Sequence, residues 1–349
     1  MNILEMERTA RALVAPPKGI LAADESTGTI AKRLASVGVE STEQARRDYR
    51  ELLFSTPRLG EFISGAILYD ETLRQTTRSG ESMVALLDRQ GIIPGIKVDQ
   101  GAKPLAGFPG EKVTEGLDGL RDRLAEYSKL GARFAKWRAV IRIDEGLPTD
   151  GCLVANAHAL ARYAALSQEA GLVPIVEPEV LMDGKHTISR HYEATEKALQ
   201  RVFAALREQR VLLKAMLLKP NMVLPGTESP QPANVVDVAA ATVRCLRKNV
   251  PAEVPGIVFL SGGQSDVKAT QHLNMMAMLG ATPWQLSFSF GRALQAPALK
   301  AWAGQPDNVH AAQEALSHRA QCNSAARTGK YSDEMESAPT PEPAKSGWN

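Results

Sequence analysis

Eight short runs of β-branched or aliphatic residues, each followed by a longer stretch of helical period, predict an α/β fold. Strands that alternate with helices pair in parallel, because each return needs a crossover. Eight such units in 349 residues are the arithmetic of a sheet closed into a (β/α)8 TIM barrel. The competing arrangement, a doubly wound open sheet, usually carries a Gly-rich nucleotide turn, and neither G-x-G-x-x-G nor G-x-x-x-x-G-K-[ST] occurs.

Taken in order, the strand-like runs are 19–25, 63–69, 92–98, 133–141, 172–177, 211–219, 256–261 and 284–290. The amphipathic stretches between and after them are 42–56, 79–89, 117–130, 156–170, 187–209, 233–248, 265–279 and 308–320, with N-caps expected around Asn156, Thr187, Asn234 and Ser265. Side chains alternate faces along a strand, so parity can be read directly. Ile20, Ala22, Asp24 and Ser26 share one face of the first strand; Phe134, Lys136 and Arg138 share one of the fourth. In the fifth, Glu177 and Glu179 flank Pro178 on a common face. Leu213, Ala215, Leu217 and Lys219 do the same in the sixth, and Pro220, lacking an N–H, ends regular pairing there. From residue 328 the composition turns to Gly, Ser, Glu, Pro and Lys, which cannot bury enough apolar surface to offset ordering entropy. The expected division is therefore a barrel domain at 1–327 and a flexible C-terminal tail at 328–349.

Composition narrows the function. A formal net charge of +2 gives no footprint for nucleic acid, and no apolar run approaches the ~18 residues a membrane span needs. The N-terminus lacks a basic-then-apolar leader, and three scattered cysteines fit neither a disulfide framework nor a zinc ribbon, which points to a reducing cytoplasm. None of the six histidines forms a metal-ligand pattern, so neither a metal nor another cofactor is expected.

If the shared faces point inward, one barrel mouth holds Asp24, Lys136, Arg138, Glu177, Glu179 and Lys219. Taken singly, a strand-end lysine is a snorkelling surface residue, Glu-Pro-Glu is a loop edge, and inward charges form a structural ion-pair network. What favours chemistry is the same polarity switch at the carboxyl end of many strands, where barrel enzymes keep their active sites. Aliphatic side chains would serve stability better. An unperturbed lysine has only about one amine in a thousand neutral near pH 7, a penalty of roughly 4 kcal/mol. Burial and a second cation both relieve that penalty, and Lys136 is the candidate neighbour for a nucleophilic Lys219. After the seventh strand, Leu260-Ser261-Gly262-Gly263-Gln264-Ser265 opens a helix, either as an ordinary corner or as an anion cradle. Arg292, following Phe290-Gly291 at the end of the eighth strand, makes a phosphate grip of the two, in the place where barrels often bind phosphate.

These residues stand in stretches that strongly resemble class I fructose-1,6-bisphosphate aldolases: GILAADESTGTIAKRL at 19–34, GIKVDQG at 95–101, FAKWRAV at 134–140, IVEPEV at 175–180, LLKPNMV at 217–223, FLSGGQS at 259–265 and SFSFGRALQ at 287–295. The resemblance runs to about residue 325. It implies reversible cleavage of fructose 1,6-bisphosphate into dihydroxyacetone phosphate and glyceraldehyde 3-phosphate, in glycolysis and gluconeogenesis, through a Schiff base. By the resemblance, Lys219 forms that Schiff base, Glu177 is the general acid/base, and Asp24 lies beside the C4 hydroxyl. Lys136 matches the second active-site lysine, with Glu179 and Arg138 as its ion-pairing companions. Ser261, Gly262 and Arg292 resemble the 1-phosphate site; Ser26, Thr29 and Lys97 resemble 6-phosphate contacts. Lys32 and Arg33 are lesser candidates, better read alone as a solvated helix face. The same likeness implies a sugar-phosphate substrate and a homotetramer.

Two positions depart from the family. Many members end in a tyrosine that exchanges the enamine proton, whereas this chain ends Ser-Gly-Trp-Asn and its last tyrosine is Tyr331. Phe290 stands where relatives often carry Tyr. The competing functions are a Schiff-base aldolase for another ketose bisphosphate, such as sedoheptulose 1,7-bisphosphate, and a non-catalytic sugar-phosphate-binding scaffold. The intact Asp24, Lys136, Glu177 and Lys219 speak against the scaffold, since a binder has no need of a low-pKa amine.

Overall fold

A computed structural model of the chain describes residues 2–337. Eight parallel strands close into a barrel: β1 (Gly19–Ala23), β2 (Ile63–Leu68), β3 (Ile93–Lys97), β4 (Phe134–Ile141), β5 (Val173–Val180), β6 (Leu217–Leu218), β7 (Gly256–Phe259) and β8 (Gln285–Phe290). Each strand pairs with its neighbours in sequence, and β8 returns to β1 with Ile20 beside Ser289. Around them lie α1 (Ile3–Leu13), α2 (Thr27–Ala35), α3 (Glu43–Phe54), α4 (Asp70–Arg74), α5 (Met83–Arg89), α6 (Leu120–Lys129), α7 (Asp150–Glu169), α8 (Ile188–Glu208), α9 (Val235–Asn249), α10 (Asp266–Met278), α11 (Arg292–Trp302) and α12 (Val309–Ala326).

The parity expected for the strands sets the interior. Ile20, Ala22, Ile67, Phe134, Val173, Ile175, Leu217 and Val258 pack together inside the barrel, and Met6, Ala10 and Leu13 of α1 join them. The helix thus plugs the amino-terminal end. Phe134 fills the space that two strand glycines leave open: a Cβ at Gly95 would lie 2.3 Å from its ring. On the outer face Trp137 stacks on Tyr163 of α7 with ring centroids 5.5 Å apart.

Several expectations are corrected. Asn156 caps nothing: α7 begins at Asp150 behind Thr149, whose hydroxyl accepts from Cys152 N at 3.2 Å, while Asn156 Nδ2 donates to Lys112 O at 2.8 Å. Thr187, Asn234 and Ser265 do cap their helices. The sixth run is only partly a strand, since residues Leu213–Ala215 form a 3-10 turn. Gln168 of α7 supplies the bonds a ladder would have made, receiving Leu212 N at 2.9 Å and donating to Leu212 O at 2.9 Å and Ala215 O at 3.1 Å. Parity slips there, so Leu212 joins the inner cluster and Leu213 packs outside. Helices α1, α4 and α11, and a hairpin of Ala102–Pro104 with Lys112–Thr114, were not expected from the sequence.

Packing does not stop at 327. Tyr331 is buried, its N–H donates to Asn274 Oδ1 at 3.1 Å, and its hydroxyl donates to Glu336 at 2.8 Å. Buried Arg319 of α12 holds the same carboxylate at 2.5 Å. Residues 328–337, the start of the expected tail, are therefore part of the packed body because an ion pair and an aromatic ring tie them down. The remainder of the expected tail, 338–349, lies outside the described residues. No helix among the described residues is long and apolar enough to cross a membrane.

Candidate active site

The inner faces of the strands continue past the apolar plug into a cavity of about 510 Å³ at the carboxyl ends of the strands. Twelve of the residues singled out from the sequence line it: Asp24, Ser26, Thr29, Lys97, Lys136, Arg138, Glu177, Glu179, Lys219, Ser261, Gly262 and Arg292. Register explains the gathering. Lys97 sits beside Lys136 across the β3–β4 pair, and Arg138 beside Glu177 across the β4–β5 pair. Lys219 follows β6, held to β5 by its N–H to Val176 O at 2.8 Å.

Four of these groups form one chain of contacts. Lys136 Nζ lies 2.6 Å from Asp24 Oδ2 and 3.2 Å from Glu177 Oε2. Glu177 Oε1 in turn lies 3.4 Å from Lys219 Nζ. Both amines and Glu177 are under 5% exposed, where isolated ions would cost several kcal/mol each. The two lysines respond in opposite directions. Burial lowers both, but Lys136 touches two carboxylates, and Asp24 and Glu177 raise its pKa above the ordinary lysine value. For Lys219 burial prevails: Glu177 and Asp24 pull upward, Lys136 adds repulsion, and the pKa ends below the ordinary value. Burial would raise Asp24, yet Lys136 and Lys219 outweigh it and hold the carboxyl below its usual range.

Around this core the rim is fixed by further pairs. Arg138 Nε meets Glu179 Oε2 at 2.5 Å. Lys97 Nζ meets Asp99 Oδ1 at 2.7 Å and donates to Asp99 O at 2.8 Å. Ser26 and Thr29 place their hydroxyls 3.2 Å apart at the start of α2. Opposite, Gly262 adopts φ +57°, a left-handed turn that favours glycine. Arg292, the first residue of α11, donates from Nη2 to Gly262 O at 3.0 Å. The two hydroxyl- and cation-bearing clusters are suited to two anionic groups on one substrate, with the low-pKa amine in the same cavity.

Sequence reasoning missed other parts of the wall. Asp99 anchors Lys97 and accepts from Arg138 N at 3.2 Å, a role that only the fold brings about. Glu25 is buried and paired with Arg50 at 2.6 Å and with Arg33. Arg33 thus belongs to the pocket wall and not to a solvated helix face, because α2 turns it back over the strand end. Buried Ser289 also lines the cavity, with its hydroxyl unpartnered. Lys32, the other lesser candidate, is not among the lining residues.

Chemically, a buried amine with a depressed pKa is poised to add to a carbonyl, and a carboxylate shared between two amines can pass protons to and from the adduct. Comparison with known proteins supplies the class. The chain matches the fructose-bisphosphate aldolase class-I family over residues 5–344. It is 58% identical over 332 residues to a probable fructose-bisphosphate aldolase class 1 of Xanthomonas axonopodis pv. citri (strain 306), covering 95% of this chain and 99% of that one. A fructose-bisphosphate aldolase 1 of Toxoplasma gondii is 55% identical over 329 residues, covering 94% and 91%. Among solved structures, the fructose-bisphosphate aldolase of Plasmodium falciparum, in a ternary complex with TRAP and a small-molecule inhibitor, superposes with a TM-score of 0.93 at 52% identity. That match covers 94% of this chain and 95% of the other.

Proposed function

The chain belongs to the class I fructose-bisphosphate aldolase family, and we propose that it cleaves fructose 1,6-bisphosphate through a Schiff base on Lys219. The observation that carries this reading is the placement of one carboxylate, Glu177, between a lowered and a raised lysine, 3.4 Å from Lys219 and 3.2 Å from Lys136.

The neutral Lys219 amine adds to the C2 ketone, and its proton and the oxygen's departure as water are handled by Glu177. The resulting iminium draws the electron pair of the C3–C4 bond as that bond breaks. The C4 hydroxyl loses its proton to the Asp24 side of the pocket, and glyceraldehyde 3-phosphate leaves. The enamine on Lys219 is then protonated at C3, and hydrolysis releases dihydroxyacetone phosphate. Asp24 suits a proton acceptor because Lys136 keeps it ionised, and Lys136 stays charged because two carboxylates hold it so. Tyr331 is no carrier for the enamine proton: it is buried against Glu336 and is not among the pocket's lining residues. Ser261, Gly262 and Arg292 are read as the grip on the 1-phosphate, and Ser26, Thr29 and Lys97 as that on the 6-phosphate. Glu179 and Arg138 brace the second lysine's strand. The same family reading makes the working form a cytoplasmic homotetramer that serves glycolysis and gluconeogenesis.

Borohydride reduction in the presence of dihydroxyacetone phosphate tests it. The adduct is expected on Lys219 by mass spectrometry, with turnover unchanged by chelators. An unmodified Lys219, or loss of turnover on chelation, would overturn the reading.

A further inference from the structure

Beneath the Ser261-Gly262-Gly263 turn lies a side-chain relay that none of the proton or carbonyl steps uses. Gln264 folds back under the turn, and its Nε2 donates to Ser261 O at 3.0 Å and approaches Met222 Sδ at 3.5 Å. Ser261 O also receives Gln264 N at 3.2 Å. With the amide nitrogen committed as donor, Oε1 is left as acceptor, and it faces His272 Nδ1 at 2.6 Å. His272 must therefore carry its proton on Nδ1. Ser261, Gln264 and His272 are all under 8% exposed, so water does not substitute freely for any of these bonds.

The far end of the relay is rigid. His272 sits on α10, whose Thr270 hydroxyl accepts from buried Arg319 of α12 at 2.7 Å and pairs with Asn323 at 2.8 Å. The near end is the turn itself, held from the pocket side by Arg292 Nη2 on Gly262 O at 3.0 Å and Gln264 O at 3.5 Å. The turn is thus clamped between a cation in front and an imidazole behind. Burial, with Lys268 adding to it, lowers the His272 pKa to about 4, so the ring stays neutral across the working range.

We propose that His272 is a positioning residue for the phosphate end of the reaction: through Gln264 it holds the Ser261-Gly262-Gly263 turn in the shape that receives the 1-phosphate. This rests on the assignment of that turn made above. Removing the imidazole orphans a buried acceptor and frees the amide to rotate. The cost should fall on binding of the phosphate next to the ketone and spare the chemistry at Lys219.

The experiment compares His272→Leu, which keeps bulk without a donor, with His272→Asn, which restores a short N–H donor. Losing one buried hydrogen bond corresponds to about tenfold, and that rise is expected for the Leu variant in KM for fructose 1,6-bisphosphate and Ki for dihydroxyacetone phosphate. Its kcat and its Ki for glyceraldehyde 3-phosphate should stay within about twofold, and the Asn variant should recover most of the loss. Amide hydrogen exchange at Gly262 and Gly263 should quicken in the Leu variant by more than at amides of the barrel strands. Wild-type affinity for dihydroxyacetone phosphate in the Leu variant, equal losses for both three-carbon phosphates, or an Asn variant no better than Leu would each overturn the proposal. Failure of Lys219 to trap dihydroxyacetone phosphate in the unmodified protein would sink the reading of the site instead. The exchange measurement, which needs no reaction, still decides the relay.

Discussion

The two ends of the barrel interior are built from the same faces of the same strands, yet they are opposite in chemistry. At the amino-terminal end Ile20, Phe134, Val173, Ile175 and Leu217 interlock with α1. Two to four residues further along those strands stand four ionisable groups, Lys136, Glu177 and Lys219 buried and Asp24 half-buried. Apolar burial stabilises the first end at roughly 1.5–3 kcal/mol per large side chain. The second end gains no such term and is held by mutual neutralisation, which at best offsets the desolvation of its ions. Stability and chemistry are thus divided along one axis, and each end can be altered with little effect on the other.

The strongest break in that comparison is Lys219→Met. Turnover should fall on the order of 10⁴-fold or more, as expected when a covalent nucleophile is removed. The melting midpoint should hold or rise, because an apolar side chain replaces a buried amine whose partner, Glu177, keeps Lys136. Retained cleavage would remove Lys219 as the nucleophile, and a large loss of stability would show that this end does structural work. Next comes Phe134→Ala at the other end. Deleting a fully buried ring that packs over Gly65 and Gly95 should cost about 3–5 kcal/mol in urea titration, with KM and kcat nearly unchanged while the protein is folded. A matching collapse of kcat would mean that the plug sets the geometry of the ion pairs, and the division of labour would fail.

How far this was readable from the sequence follows the same axis. Period-two parity placed Asp24, Lys136, Glu177 and Lys219 in one cavity because strand geometry is local and repeats every second residue. It failed at Leu213, where side-chain bonds from Gln168, more than 40 residues away in sequence, replace the ladder with a turn. Asp99 and Glu25 escaped notice for a related reason: their roles come from partners on other elements, Lys97 and Arg138 for one, Arg33 and Arg50 for the other. The start of the tail was misplaced because composition counts Gly, Ser and Lys after 327 but not the Arg319–Glu336 pair that fastens them. The Ser261-Gly262-Gly263 turn stood out by its glycines, whereas the His272 relay beneath it did not, since a histidine on a helix face carries no mark of its partner.

The finest test lies within the charged end and concerns the unequal lysines. Lys219 is lowered by burial and by Lys136, while Glu177 and Asp24 resist. Lys136→Met removes the repulsion and leaves both carboxylates without their nearer amine, so all the changed interactions now favour the ammonium form of Lys219. Its pKa should therefore move up, and a smaller fraction of the amine should be neutral near pH 7. The pH dependence of borohydride trapping with dihydroxyacetone phosphate reads this directly. The rising limb that reports deprotonation of Lys219 should shift to more alkaline pH in the variant, and trapping near neutrality should slow. A limb that stayed in place would mean that burial alone prepares the nucleophile. A shift toward acid would mean that the carboxylates, released from Lys136, take up protons and cease to hold the charge on Lys219. Either result would remove Lys136 from the activation of Lys219 and leave it a role only in keeping Asp24 ionised.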